Sequence, residues 1–481
     1  MKVLVVGNGG REQAIAWKLL QSPKVEKVFC IPGNGGTATL PGCQNMSLQV
    51  DDFEGIANIA SVQGVSLVVV GPEAPLAGGI VDYLRYRHGH IPVFGPTKEG
   101  AQIESSKLWA KELMHRAGVR TAKAIEFTEL DAALNYLEQQ SLPIVIKADG
   151  LAAGKGVTVA ATHQEAIEAT QALFKQRFPK VLIEEFITGK EVSVLALTDG
   201  TIIRSLLPAC DHKRIGEGDT GENTGGMGVY APATWVTPEL MLKIEAEVLQ
   251  PTVKALREQG ITYRGVLYAG LMITEAGDPL VLEFNCRFGD PETQAILPLL
   301  ETPLVDLLIA CAEGNLAKFP VLDWLPGSSV CVVAAAAGYP GKFQRGDEIT
   351  GLLEAKEKGV EVFQAGTMLN PQKNLLTDGG RVLSVTGLGA DLAEAIDQAY
   401  AGMAVINFSG MYYRRDIAGR VIPPEVGDAN DIPQPDLEPN LEIPEPDLEF
   451  NLESNPEPNL EIPEAPPEAE PLPENISPPV T

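Results

Sequence analysis

Leu282-Glu283-Phe284-Asn285-Cys286-Arg287-Phe288-Gly289-Asp290-Pro291-Glu292 is the most informative stretch of this 481-residue chain. An apolar strand over 280–284 runs into it, and side chains along a strand repeat every two residues, so Glu283 and Asn285 point to the same face. Two oxygen ligands on one face suit Mg²⁺, a hard cation that takes a few protein oxygens and fills its shell with phosphates and water. Arg287, two residues further on, is then placed to meet an anionic substrate through a bidentate contact. A Glu-x-Asn-x-Arg triplet is common by chance, so its neighbours have to decide its meaning.

Upstream, Lys147-Ala148-Asp149-Gly150-Leu151-Ala152-Ala153-Gly154-Lys155-Gly156-Val157 joins a lysine ending an apolar strand to small, flexible positions and a second lysine. It is not a G-x-x-x-x-G-K-[ST] loop, because Gly150 and Gly154 stand one residue too close and Gly156 follows Lys155. Such a loop folds over a triphosphate with backbone donors while Lys147 neutralises charge, and it reads equally as a mobile surface turn. Glu184-Glu185-Phe186-Ile187, followed by Glu191, sets carboxylates at a strand end, either for ribose and adenine or as a solvated acidic turn. The stretch 209–228 holds Asp211-His212-Lys213-Arg214, Asp219 and Asn223-Thr224-Gly225-Gly226-Met227-Gly228, and is too long and polar for an idle linker. His212 has no His or Cys beside it, which favours a hydrogen-bonding role over a metal one.

At the N-terminus, Gly7-x-Gly9-x-x-Glu12 fails as a dinucleotide fingerprint: Glu12 takes the third glycine position, and no acidic residue ends the next strand at Ile31-Pro32-Gly33. What remains is a glycine turn before a helix, whose free N–H groups suit a phosphate. A purely structural turn is the alternative.

From Lys2 to about Gly95, short apolar runs over 3–6, 25–31, 67–70 and 93–94 alternate with helical stretches such as 12–20, predicting an open parallel α/β sheet. Ligands of such sheets sit beyond the strands' carboxyl ends, which here carry Gly7–Gly10, Pro32–Gly36 and Gly71-Pro72-Glu73. A mixed α+β unit follows from about Ala101, with strands over 143–148, 157–160 and 181–185, a helix over 238–259, and a hairpin of 265–274 with 279–284. Apolar 329–337 and alternating 380–386 suggest a third, smaller unit closing near Val421.

The length exceeds what one core organises, so two to four domains are expected. Six cysteines without a C-x-x-C pair argue against a zinc ribbon, a redox dithiol or a secreted disulfide framework, and fit a reducing cytosol. No signal-peptide layout is visible, and no apolar run approaches the ~18 residues a membrane helix needs. The net charge is −27, but sixteen acidic and no basic residues lie between Val421 and Thr481, leaving −11 on the body. Neither value makes a nucleic-acid footprint, although a local basic pocket for a phosphorylated small molecule is compatible with both. After Pro423, one-signed charge and frequent Pro predict a disordered, extended tail.

In this order the motifs resemble the phosphoribosylamine–glycine ligase family, also called glycinamide ribonucleotide synthetases, of the ATP-grasp superfamily. The match runs from Met1 to about Val421. Its most specific part is Asn285-Cys286-Arg287-Phe288-Gly289-Asp290-Pro291-Glu292-Thr293-Gln294, which looks like the family pattern R-F/L-G-D-P-E-x-Q/E. The resemblance implies a multidomain α/β and α+β fold: an N-terminal open parallel α/β domain over 1–103, an ATP-grasp domain over 104–328 with a small lid at about 121–190, a small α+β domain over 329–422, and the tail 423–481. ATP is then expected between two antiparallel sheets.

The implied activity is ligation of glycine to 5-phospho-β-D-ribosylamine through glycyl phosphate, in a cytoplasmic monomer without nucleic-acid or membrane partners. The resemblance puts Mg²⁺ or Mn²⁺ on Glu283 and Asn285, and ATP phosphates near Lys107, Lys147, Gly150, Gly154, Lys155 and Gly156. It puts adenine at Glu184, Glu185, Phe186 and Ile187, and ribose at Glu191. Arg287, Asp211 and Asp219 are the implied catalytic residues, with Asn223, Thr224, Gly225, Gly226 and Met227 beside them for glycine and the reacting amine. Gly9, Gly10, Gly71, Pro72 and Glu73 are implied for the sugar phosphate. Two departures stand out: Gln13 replaces the histidine of the family's Gly-Gly-Arg-Glu-His, so no acid or base role carries over to it, and the tail lies outside the pattern. A different ATP-grasp carboxylate–amine ligase or carboxylase, and a non-catalytic nucleotide-binding module, are the competing readings.

Overall fold

Val3, Leu4, Val5 and Val6 are wholly buried, as a parallel strand covered by helices on both faces must be. In the computed structural model, which describes residues 1–151, 156–176 and 178–419, their strand Lys2–Gly7 is the middle of a five-stranded parallel sheet. The order is Cys43–Asn45, Lys27–Pro32, Lys2–Gly7, Leu67–Val70, Val93–Phe94. The expected open parallel sheet is therefore present, with one added edge strand, Cys43–Asn45, too short and polar to stand out in sequence. Gly154, Lys155 and the tail 423–481 lie outside the described residues.

Two antiparallel sheets follow. The smaller joins Ala124–Phe127, Val181–Glu185, Ile144–Ala148 and Val157–Ala160, with helices Leu130–Leu137 and His163–Lys175 against it. Ala133, Leu137, Ile146, Ala166 and Ile183 give it a hydrophobic core of its own. The larger joins Ile203–Ser205, Lys190–Thr198, Gly265–Ile273 and Pro279–Asn285. Its nine-residue strand Lys190–Thr198 is the main element not anticipated from the sequence, and it pairs along its whole length with Gly265–Ile273. The helix expected over 238–259 is broken into Pro238–Ile244, a π turn Glu245–Leu249 and Gln250–Glu258. Pro251, lacking an N–H, removes one helical bond at the break.

The stretch 209–228, read from the sequence as too long and polar for an idle linker, is partly sheet. Cys210–Asp211 and Gly228–Ala231 form two strands of a five-stranded antiparallel sheet completed by Ser328–Ala335, Arg381–Gly389 and Glu361–Gln364. Arg214–Gly216 and Thr220–Asn223 pair as a hairpin within the same stretch. The glycine-rich segment thus shares one sheet with residues beyond 328, and that sheet ties the chain's C-terminal part to the site. Among the described residues, no helix is long and apolar enough to cross a membrane.

Candidate active site

A cleft of about 1130 Å³ is lined by Val145, Val157 and Val159 of the small sheet and by Met272, Leu282 and Phe284 of the larger one. Glu283 and Asn285 line it too. The strand Pro279–Asn285 carries an irregularity here, since Gly270 faces Glu283 while Leu271 faces Val281, leaving Leu282 without a ladder partner. Its carbonyl accepts instead from Lys147 Nζ at 3.0 Å.

Positive charge converges on these two residues. Desolvation would raise the Glu283 carboxyl, but the charges of Lys213, Lys147, Lys107 and Arg287 outweigh it and hold Glu283 below the usual carboxylate range. Burial pushes the Lys107 ammonium below its ordinary value against the pull of Glu283, while its Nζ donates to Gly150 O at 3.1 Å. Lys213, also desolvated, is nevertheless raised well above the lysine range by Glu191 and Glu283, and forms an ion pair with Glu191. Glu184 is almost fully buried and clamps two lysines, Lys147 Nζ at 2.8 Å and Lys111 Nζ at 3.1 Å. Its carboxylate is therefore turned to the lysines. Glu185 accepts from the Lys123 N–H at 2.8 Å, and Phe186 and Ile187 line the cleft.

Arg287 is fixed by carboxylates. Its Nη2 lies 3.0 Å from Glu104 Oε1 and 3.0 Å from Asn285 Oδ1, and its Nε lies 3.4 Å from Glu73 Oε2. Desolvation works against the charge, but Glu104 and Glu73 raise the guanidinium above its ordinary value. Asp211 lines the cleft, and burial, with Glu292 beside it, pushes its carboxyl well above the carboxylate range. Glu292 accepts from Tyr268 Oη at 2.5 Å and Ser193 Oγ at 3.1 Å. Asp219 lines the cleft with φ +54° and pairs with Arg414 at 2.9 Å, so its carboxylate holds the 214–220 hairpin in place.

Of the residues expected for substrates, Pro72, Glu73, Asn223, Thr224, Gly225 and Arg287 line the cleft, as do Gly150, Gly156 and Glu191 from the nucleotide set. Gly9, Gly10, Gly71, Gly226 and Met227 are not among its lining residues. The N-terminal turn has no free donor at Gly9, because its N–H donates to Glu12 Oε2 at 2.6 Å. A Cβ on Gly71 would sit 2.0 Å from Glu12 Oε1, and one on Gly9 would sit 3.1 Å from Asp290 Oδ2. These glycines make room for the chain's own carboxylates, and the Gly9 N–H has its partner in Glu12. Arg11, next to them, does line the cleft, with Nε 2.5 Å from Glu12 and Nη1 3.1 Å from Phe288 O. Gln13 Oε1 accepts the Gln364 N–H at 2.7 Å, a structural tie for its neutral amide.

Family models match the chain in three consecutive parts: phosphoribosylglycinamide synthetase N domain over 1–104, ATP-grasp (A) domain over 105–293 and C domain over 329–420. The chain belongs to the phosphoribosylglycinamide synthetase family. A phosphoribosylamine–glycine ligase of Nostoc sp. is 62% identical over 425 residues, covering 88% of this chain and 100% of the relative. The crystal structure of a phosphoribosylamine–glycine ligase from Thermotoga maritima superposes with a TM-score of 0.74 at 34% identity, covering 87% of this chain and 100% of that one. A biotin carboxylase domain of Hydrogenobacter thermophilus 2-oxoglutarate carboxylase shares the fold alone, with a TM-score of 0.63 at 17% identity over 85% of this chain and 91% of that one. The chain is a ligase with an ATP-grasp domain.

Several cleft residues were not singled out from sequence: Arg11, Glu104, Lys111, Tyr268 and Arg381. Tyr268 looks like an ordinary strand residue, and Lys111 like a solvated helix position. Asp290 and Glu292, which also line the cleft, carried a local signal by standing within the opening stretch.

Proposed function

We propose that this chain joins glycine to 5-phospho-β-D-ribosylamine with ATP, giving glycinamide ribonucleotide, ADP and phosphate, in purine biosynthesis. The supporting observation is that Glu283 and Asn285 share one cleft with Lys107, Lys147 and Lys213, in a chain 62% identical to a relative named for that reaction.

Glu283 and Asn285 fit a hard divalent cation. Among the described residues, no group of three or more His, Cys, Asp or Glu is placed to cage a metal, which suits an ion that shares its shell with phosphates and water. The Asn285 amide oxygen keeps one lone pair beyond its bond to Arg287. Bound there, Mg²⁺ or Mn²⁺ would supply charge stabilisation to the moving phosphoryl group.

The glycine carboxylate is a poor acylating group, so it first takes the γ-phosphoryl, and the ribosylamine nitrogen then displaces phosphate from glycyl phosphate. Lys107 and Lys147 offset the phosphate charge, with Glu184 holding Lys147 in place. Val145, Val159, Met272 and Leu282 would enclose the adenine, and Glu191 would meet the ribose. Arg287, braced by Glu104 and Glu73, would hold an anionic group of the substrates. Asp211, whose Oδ1 is buried without a hydrogen-bond partner among the described residues, would meet the glycine side. Arg11, Pro72 and Glu73, near the strand ends of the parallel sheet, would take the sugar phosphate end.

The same reading makes the enzyme a cytoplasmic monomer acting on small molecules, with boundaries near 103, 328 and 422; light scattering on the full chain tests the monomer. An ADP-release assay with each substrate omitted in turn tests the activity. ADP should form only when glycine and phosphoribosylamine are both present. Release with another amino acid, and none with glycine, would overturn the assignment.

A further inference from the structure

Arg381 opens the strand Arg381–Gly389 where the ladder slips: Ala334 faces Leu383, and Ala335 faces Arg381. Such an irregularity re-aims a side chain, and the Arg381 guanidinium lines the cleft. Its Nη1 donates to Gly225 O at 2.6 Å, Asp290 O at 2.8 Å and Gly226 O at 3.4 Å, while Nη2 pairs with Asp290 Oδ1 at 3.3 Å. From the same C-terminal part of the chain, Tyr339 Oη accepts the Gly225 N–H at 3.1 Å. Gly225 is thus gripped at both its donor and its acceptor.

The other side of this segment faces Asp211. A Cβ on Gly225 would lie 2.9 Å from Arg381 Cζ, and one on Gly226, at φ +112°, would lie 2.7 Å from Asp211 Oδ1 and 2.5 Å from Pro291 Cδ. The two glycines therefore fill a slot between the guanidinium and Asp211 that admits no side chain. Asp211 Oδ1 is buried without a hydrogen-bond partner among the described residues.

We infer that Arg381 is a positioning residue: through the Gly225–Gly226 backbone and Asp290 it sets Asp211 and this wall of the cleft against glycine. The inference rests on the proposed function, in which glycine meets Asp211. It gives the C-terminal part of the chain a share in selecting the amino acid. The fork geometry is essential to the role, since Nη1 holds the carbonyls of Gly225 and Asp290 while Nη2 meets the Asp290 carboxylate, and the single nitrogen of a lysine does not occupy both positions.

Steady-state kinetics on the full chain test it, with Arg381→Met, Arg381→Lys and Tyr339→Phe. Arg381→Met should raise the glycine KM by about tenfold or more while the ATP KM stays within about twofold, and Arg381→Lys should recover part of the loss. Tyr339→Phe should raise the glycine KM by about threefold. An unchanged glycine KM, or equal rises for glycine and ATP, overturns the inference. If Arg381→Met does not fold, the glycine KM of Tyr339→Phe decides alone. Wild-type ADP release without glycine would instead count against the proposed function itself.

Discussion

At Gly9 the backbone amide donates to Glu12 at 2.6 Å, and Asp290 lies over the same turn. At Glu283, among the described residues, no side chain forms an ion pair with the carboxylate, yet Lys213, Lys147 and Lys107 together keep it charged. Both places attract attention in the sequence, one as an anion site and one as a cation site, and the fold treats them oppositely. Where the chain supplies its own counter-group in contact, the charge is spent on structure. Where surrounding charges lower a carboxyl without an ion pair among the described residues, the group is a candidate for a ligand.

Removing the open group should cost activity and little else. Glu283→Ala is expected to lower kcat by about 10²–10³-fold or more while the circular dichroism spectrum and the unfolding midpoint stay near wild type. Turnover that survives would remove the metal assignment and, with it, one side of the contrast.

The satisfied group should behave the other way. Glu12→Ala leaves the buried Arg11 unpaired and the helix start uncapped, so urea unfolding should show a loss of about 3–5 kcal/mol. A variant that keeps its stability but binds phosphoribosylamine poorly would show that Glu12 belongs to the site after all.

Glu184 lies between these extremes, because it is paired and yet presents two lysines to the cleft. Glu184→Gln should raise the ATP KM by about tenfold, in keeping with the ~1.5–3 kcal/mol of a hydrogen bond to a charged group, with the glycine KM nearly unchanged. Equal effects on both would point to general disorder of the cleft.

The smallest effect concerns Asp416. Desolvation would raise its carboxyl, but Arg414 and the Gly218 N–H bring it down to about 2. Because the folded value lies below the unfolded one of about 3.9, the stabilisation is complete above that pH and is lost as the pH falls toward 2. Asp416→Asn should flatten this part of the acid-unfolding curve, and an unaltered slope would mean that the Arg414 cluster is not pH-linked.

Much of the architecture was legible because it is written in local periodicity. The apolar runs at 67–70, 93–94, 157–160 and 181–185 are strands at those positions, and the hairpin of Gly265–Ile273 with Pro279–Asn285 lies where the turn residues put it. Lys190–Thr198 was obscured by the carboxylates before it, and the strand Gly228–Ala231 by the glycines on which it begins. In the site, Glu283, Asn285, Arg287, Lys107, Lys147 and Asp211, all named from the sequence, line one cleft. Gly9 and Gly71 do not, because the space their missing side chains leave is filled by Glu12.

The sequence by itself determined the strands, the spacing that puts Glu283 and Asn285 on one face, and the family. Those properties depend on residues a few positions apart, whose geometry the backbone repeat dictates. Tertiary structure alone decided which charges are satisfied. Gln13 meets Gln364 across 351 positions, Arg287 meets Glu104 across 183, and Arg381 meets Gly225 across 156. Hydrogen bonds and ion pairs act over a few ångströms of space, whatever the separation along the chain. A glycine turn or a carboxylate pair therefore acquires its role only when packing brings, or withholds, a partner.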